Sequence, residues 1–557
     1  MNATRLITLG SLGVTIAVWA ATVTGAVQSE RGRAPAAASH PRIDPAMFAP
    51  SHDCVSCHNN LVGPSGEDLS IGASWRGSMM ANSARDPYVL ASVRREVMDH
   101  PKSSVAIEDE CAACHLPAAR QAALAAGGSG RVFAHVNGAA AASPVDIQAR
   151  DGVTCTVCHQ IAAERLGSAS SFNGNFTIAA PAESGRRRAF GPFTVDAGRR
   201  RIMHSVTGFE QQRSEHIRQS EICATCHTLI TQAIGEDGRT NGSLHEQMSY
   251  QEWRHGAFAD EGRGCQSCHM PRAPGPVRVS SVLGELREGL SRHTFLGGNA
   301  FMLRLLNRYR DDLAVEATPA ELETAARATE RQLETETASV GIERAESAGG
   351  TLTIDVVVRN LTGHKFPTGY PSRRAWLHVV VKDARGHAVF ESGRLSENGA
   401  IDGNDADDQP ETFEPHYTRI TRPTEVQVYE SILGTPAGQA TTGLLRATRY
   451  LKDNRLLPRG FDKRTADPSI AVVGSALEDA DFADASDRVR YQVQVADAAT
   501  VEVELRYQPI AYRWVQNLRG YEAREPRAFI TYFESMASVS STPVTRASTA
   551  VGGRASR

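Results

Sequence analysis

The sequence predicts an α+β multidomain protein: a mostly helical or irregular segment over 51–297, a helical connector over 298–340 and a β-sandwich-like domain over 341–536. Three observations predict it. All ten cysteines of the 557-residue chain precede residue 270, in text whose apolar periodicity is weak. Helix signals gather between 298 and 338. From about residue 350 the apolar side chains instead fall at alternate positions, the period of a strand with one buried face. The composition is globular, at 41% apolar and 22% charged, and 60 basic residues against 63 acidic ones lack the excess of cations that nucleic-acid binding needs.

Residues 1–26 read as a secretory signal, with Arg5 before an apolar run and small residues leading to a cut after Ala26. The competing reading is an uncleaved anchor, and membrane association follows only in that case. No cysteine follows the run until Cys54, which argues against a lipid-modified N-terminal cysteine. Residues 27–50, rich in Ala, Pro and Ser, read as a flexible leader, and the Ala/Gly-rich stretch 117–143 reads as a loop. Asp86-Pro87 marks a helix start, as does Thr318-Pro319-Ala320-Glu321, where the threonine caps, the proline takes the first helical position and the glutamate follows three residues after the cap. Phe301 to Leu306 begins another helix. Leu352, Ile354, Val356 and Val358 alternate, as do Val489, Tyr491 and Val493 and then Val501, Val503 and Leu505; Lys382 to Gly386 reads as a hairpin turn. Residues 537–557, mostly Ser, Thr, Ala and Arg, read as a disordered tail.

The ten cysteines occupy five copies of one pentapeptide, C-x-x-C-H. The first holds Cys54, Cys57 and His58, and the second Cys111, Cys114 and His115. The third holds Cys155, Cys158 and His159, the fourth Cys223, Cys226 and His227, and the fifth Cys265, Cys268 and His269. Two thiols at this spacing can add to the two vinyl groups of one haem, and the adjacent imidazole then reaches the iron. Structural zinc sites do not require a histidine after every pair, and a redox dithiol occurs singly beside a βαβ pattern that is absent here. The expectation is therefore five covalent c-type haems, with a haem-packed segment over 51–297 that needs little regular structure because the porphyrins supply its core.

Five proximal histidines leave thirteen of the eighteen. The candidates for a distal axial ligand are His100, His216, His255, His293 and His364. His100 ends a stripe of Leu90, Val93 and Val97 at helical spacing, eleven residues before Cys111. His216 and His255 precede Cys223 and Cys265 by seven and ten residues, and His293 follows the last motif. His364 lies in the β part, in the Gly- and Pro-containing loop Asn360–Gly369, from which it could reach back to a haem of the other domain. His135, His204, His245 and Met203 are reserves.

The chain resembles the exported multihaem cytochromes of the cytochrome c-554 type. The similar segments are "WRGSMMANSARDPYVLASVRREV", "IEDECAACHLP", "DGVTCTVCHQI", "SEICATCHTL", "CQSCHMP" and "SRHTFLGGNAFML", continued by "GHKFPTGYPSRRAWLHV", "YLKDNRLLPRGFDK" and "YQPIAYRWVQNL". The resemblance implies stacked c-type haems relaying electrons outside the cytoplasmic membrane. The c-554 type has four haems and this chain five motifs, so ligands do not transfer haem by haem.

The expected function is electron carriage by five haems in the periplasm or at the cell surface, with other cytochromes or a quinol-linked donor as redox partners. The alternative is a reductase of a small nitrogen or sulfur compound at one five-coordinate haem. Pentahaem nitrite reductases resemble the chain in haem number, but their active-site motif usually ends in lysine, and all five here end in histidine. A third reading makes the β domain a module that recruits a partner. Arg186–Arg188 and Arg199–Arg201 read either as a docking patch for an acidic redox partner, or partners of haem propionates, or as solvated loops. The run Asp402 to Asp408 concentrates oxygen atoms as Ca2+ sites do, without the EF-hand register, and competes with an acidic surface turn.

Overall fold

The alternation after residue 350 builds two sheets with facing apolar sides. The computed structural model describes residues 47–136, 143–183, 185–409, 411–495 and 497–551. In the strand Thr351–Asn360, the side chains of Leu352, Ile354, Val356 and Val358 are all buried. This strand pairs antiparallel with Ala338–Ala348 on one side and Ser486–Gln494 on the other, and Arg419–Ile420 adds to the last of these. The second sheet has seven strands and is organised around Arg374–Asp383, which lies between Val428–Gly434 and Ala498–Gln508. Leu377, Val379, Val381, Val501, Val503 and Leu505 of this sheet share one core with the residues of the first, which makes the pair a sandwich. Each such aliphatic side chain contributes about 1.5–3 kcal/mol on burial. The turn after Asp383 is fixed by its carboxylate, which accepts from the backbone N–H groups of Arg385 and His387, and by Gly386 at φ 84°.

The segment before residue 298 holds short helices and three two-stranded ribbons. Its longest helix, Pro87–Asp99, starts on Asp86, whose carboxylate accepts from the N–H groups of Tyr88 and Val89. Helix Pro319–Gln332 starts on a capping box between Thr318 and Glu321. A second core joins Tyr88 and Ala91 to Phe301, Leu305, Trp514, Phe529 and Phe533, and Arg94 forms a two-pronged pair with Glu525 at 2.9 and 3.1 Å. One compact unit therefore holds all the described residues. The boundaries read at 297 and 340 mark a change in sequence character, not a break in packing, because the connector helices bury apolar side chains against both neighbours.

Three readings are corrected. Residues 542–550 of the expected disordered tail form a strand that pairs with Ala498–Gln508, with Val544 turned into the core. A Ser- and Thr-rich edge strand needs few apolar residues, so its composition resembled disorder; residues 552–557 lie outside the described residues. The expected loop at 117–143 contains the helix Pro117–Ala125, whose Ala118, Ala119, Ala122 and Ala123 are buried, in keeping with alanine's helix preference. Residues 1–46, with the signal and most of the leader, lie outside the described residues. The leader's end is packed: Phe48 is buried, and its carbonyl accepts from Gln148 at 2.8 Å. Among the described residues no helix is long and apolar enough to cross a membrane.

Candidate functional site

Each C-x-x-C-H pentapeptide lies on or directly after a short helix: Ser51–Val55, Ser104–His115, Cys155–Cys158, Ser220–His227 and Cys265–His269. In a helical turn, residues three apart share a face, so the two thiols project together and the histidine follows one position on. The thiols of different motifs also meet. Cys54 and Cys155 hydrogen-bond one another, as do Cys114 and Cys226, and Cys223 and Cys265. Burial, with Cys226 and Cys155 nearby, pushes the Cys158 thiol up to about 12. Thiol pairs thus join the first motif to the third, and the second and fifth to the fourth.

Cys57 and Cys268, the second thiols of the first and fifth motifs, stand outside those pairs. Both are half-buried, and each lies beside the hydroxyl of the serine that precedes it, Ser56 at 3.8 Å and Ser267 at 3.7 Å. The fifth motif is therefore tied to the fourth through Cys265. The expected role of Cys268 as the second haem anchor of that motif rests on its place three residues after Cys265 on one helical turn.

Four motif imidazoles donate Nδ1–H to a backbone carbonyl: His58 to Val279 at 2.6 Å, His115 to Ser83 at 3.3 Å, His159 to Phe190 at 2.5 Å, and His269 to Leu296. A proton held at Nδ1 leaves Nε2 as a bare lone pair, the form that ligates a metal. Burial lowers the pKa of His58, His115 and His159. It lowers that of His227 to about 4, aided by His269 and Arg373. Neutral imidazole follows at ordinary pH.

Two of the candidate distal histidines face motif histidines. The His159 and His293 rings have centroids 6.3 Å apart and planes within 18°; His269 and His364 are 6.2 Å apart and within 14°. Two metal–imidazole bonds of about 2 Å and about 1.1 Å from nitrogen to ring centre on each side span about 6.2 Å. The donor set and its spacing therefore fit an iron between each pair. His293 and His364 also give up Nδ1 to carbonyls, of Ser291 at 3.0 Å and Lys365 at 2.8 Å. Burial, with His159 beside it, takes His293 down to about 3.

His364 belongs to the β half and is carried across by a loop that is held at both ends. The Asn360 amide donates to the carbonyls of His364 and Leu456. Lys365, fully buried, pairs with Asp453 at 2.8 Å; Arg455 joins Asp453 at 2.7 Å to Glu252 at 2.9 Å. Glu252 lies on the helix Ser249–Arg254 of the motif-bearing half and also accepts from Thr368 at 2.5 Å. The sequence reading missed this network. Lys365 beside His364 is the one local signal for it, since its partners lie about a hundred residues away in either direction.

The other candidates stand differently. His100 closes the helix Pro87–Asp99, and its Nε2 is buried without a partner; Leu90, Val93 and Val97 pack in a cluster with Cys111. His216 uses both nitrogens, on Ser214 at 2.6 Å and the Ile161 carbonyl at 2.8 Å. That geometry occupies Nε2 with a carbonyl instead of aiming it at a motif histidine. His255 donates Nε2 to the Asp462 carbonyl at 3.1 Å and packs edge-on against Phe461, so it joins the two halves. The reserve His135 pairs Nδ1 with Asp146 at 2.9 Å. Among the described residues no imidazole faces His58, His115 or His227 at the spacing of the two pairs.

The acidic run does not gather cation ligands. Asp407 is bound two-pronged by the buried Arg374 at 2.8 Å, and Asp402 by Arg394. A cluster of three potential ligands among the described residues is His416, Asp479 and Asp487. There, His416 Nδ1 accepts from the Gln427 and Asn454 amides, so Nε2 keeps its proton and donates to Asp479 at 3.0 Å. Each amide is oriented by a backbone N–H, of Tyr417 or Glu430, on its oxygen. The cluster is a hydrogen-bonded knot and not a metal cradle.

No protein-family model and no curated protein matches the sequence. Among solved structures, the fold is similar to a penta-haem cytochrome c552 from Thermochromatium tepidum, with a TM-score of 0.52 and 15% identity, over 91% of this chain and 100% of that one.

Proposed function

We propose that this chain is an exported c-type cytochrome that carries electrons through five covalently held haems, in the periplasm or at the cell surface, and is akin to the c-554 type. The observation that carries the reading is the pair of facing imidazoles, His159 with His293 and His269 with His364, set at the span of one iron. Haem iron supplies reversible one-electron chemistry. The cysteines anchor the macrocycles, and the carbonyls of Val279, Ser83, Phe190 and Leu296 fix the motif imidazoles in the ligating tautomer. Contact between thiols of different motifs brings attachment points together in space, which supports a continuous path. The network of Glu252, Arg455, Asp453 and Lys365 holds the β half in place, so that His364 closes the fifth site from outside the motif-bearing segment.

The reductase reading keeps one specific support, the absence of a facing imidazole at His58, His115 and His227 among the described residues. Integration of the EPR spectrum of the oxidised protein separates the two. Five low-spin ferric haems support electron carriage alone, whereas a stoichiometric high-spin haem moves the assignment to the reductase.

A further inference from the structure

The first motif lies beneath an exposed surface of unusual make-up. The loop 279–287 binds it from the side of His58 that faces away from the ligating nitrogen. Val279 accepts from His58 Nδ1 at 2.6 Å, and Ser281 donates its N–H and its hydroxyl to the Cys57 carbonyl at 2.8 and 3.0 Å. Beyond Ser281 the loop turns three apolar side chains to solvent: Val282, Leu283 and Leu286 are 45%, 64% and 59% exposed. Leu283 does so at φ 50°, a left-handed conformation that a leucine adopts only at a steric cost. Arg199 of the helix Ala197–Thr207 donates to the Leu283 carbonyl at 2.6 Å. Ile202 and Val206, three and seven residues on along that helical face, are exposed as well. Arg199 and Arg287 pair with Glu285 of the loop, Arg186 and Arg200 share Glu210, and the segment 186–218 is rich in arginine. Between 186 and 218 there are eight arginines against three carboxylates, in a chain whose net charge is −3.

We propose that this face, Ile202 and Val206 with Val282, Leu283 and Leu286 beside the arginines of 186–218, is where an acidic protein bearing a one-electron redox group docks to exchange electrons at the first motif. The proposal rests on the electron-carrier reading above. Charge complementarity selects the partner: the arginines attract and orient a negative surface, and the apolar side chains supply contact area once the surfaces meet. One electron passes at a time, the partner's group being oxidised as one ferric iron becomes ferrous.

Flavodoxin, an acidic flavoprotein, serves as the probe, with the holoprotein as the other component. Affinity is read by titration calorimetry with oxidised flavodoxin, and haem reduction by stopped flow with its hydroquinone. Arg200→Glu with Arg201→Glu should weaken binding about tenfold or more and remove most of its salt dependence. Leu283→Asn should weaken it about threefold to tenfold without harm to folding, since asparagine adopts the left-handed conformation more readily than leucine. Arg385→Glu, in the exposed turn of the β half, should leave the affinity unchanged. Equal affinities for all variants, with rapid reduction of the wild type, would overturn the docking face and leave the carrier reading standing. A wild type that dithionite reduces and flavodoxin neither binds nor reduces would overturn the acidic partner. Self-association abolished by Leu283→Asn would instead assign the face to a second copy of this chain.

Discussion

Asp453→Asn is the sharpest probe of how the β half is fastened over the fifth motif. The Asp453 carboxylate lies between the Lys365 ammonium at 2.8 Å and the Arg455 guanidinium at 2.7 Å, and all three side chains are buried. Burial alone would raise its pKa, but Arg455 and Lys365 outweigh it and hold the group down to about 2. Removing one member of a buried ionic set costs about 3–5 kcal/mol, because the charges left behind stay desolvated. In a unit of this size the loss lowers the melting temperature by about 3–5 °C. The pH dependence has a definite sign. A carboxylate depressed from about 3.9 to about 2 contributes about 2–3 kcal/mol above pH 4, and loses it as the pH falls from about 4 through about 2. Thermal unfolding followed by circular dichroism and haem absorbance, at pH 7 and across that acid window, measures both effects. The matched control is Lys382→Met, which breaks the half-exposed pair with Glu502 and should cost less than about 1 kcal/mol. An Asp453→Asn protein as stable as the control, with the same acid profile as wild type, would show that this ionic set does not fasten the β half.

Other consequences are open to equally direct tests. His293→Ala should convert about one-fifth of the ferric iron from low to high spin in EPR, and His364→Ala should do the same for a different haem; an unchanged spectrum removes that ligand. Truncation after Ser541 removes the strand Thr542–Ala550 and exposes the core around Val544, so chemical denaturation should show a loss of about 2–4 kcal/mol, whereas a dispensable tail would show none. Millimolar Ca2+ or a chelator should leave the melting temperature unmoved, because Asp402 and Asp407 are already held by arginines. A rise of several degrees with Ca2+ would contradict that assignment.

The chemistry was legible in the sequence because it is local. A C-x-x-C-H pentapeptide encodes its own geometry on one helical turn, and the strand alternation at Leu352–Val358 encodes a buried face. The distal ligands were legible only as candidates. His216 and His364 are equally plausible as text, and what separates them is which carbonyl meets which ring nitrogen across the fold. The same holds for the thiols: nothing in the text says that Cys265 meets Cys223 while Cys268 keeps to Ser267. Asp453 is a further case, for its partner Lys365 is 88 residues away, and the Glu252 that Arg455 joins to it is about 200 residues away, with no period or spacing to link them. Composition misled where it stood in for structure. An alanine-rich stretch became the helix Pro117–Ala125, and a serine- and threonine-rich end became a paired strand, since packing partners elsewhere decide both.

The proposed function depends above all on covalent attachment of haem at all five motifs. The intact mass of the denatured holoprotein tests it most directly, read together with a titration of free thiols. A mass increment of five haems and no titratable thiol among the ten cysteines are expected. A smaller increment with reactive thiols remaining would contradict attachment at all five.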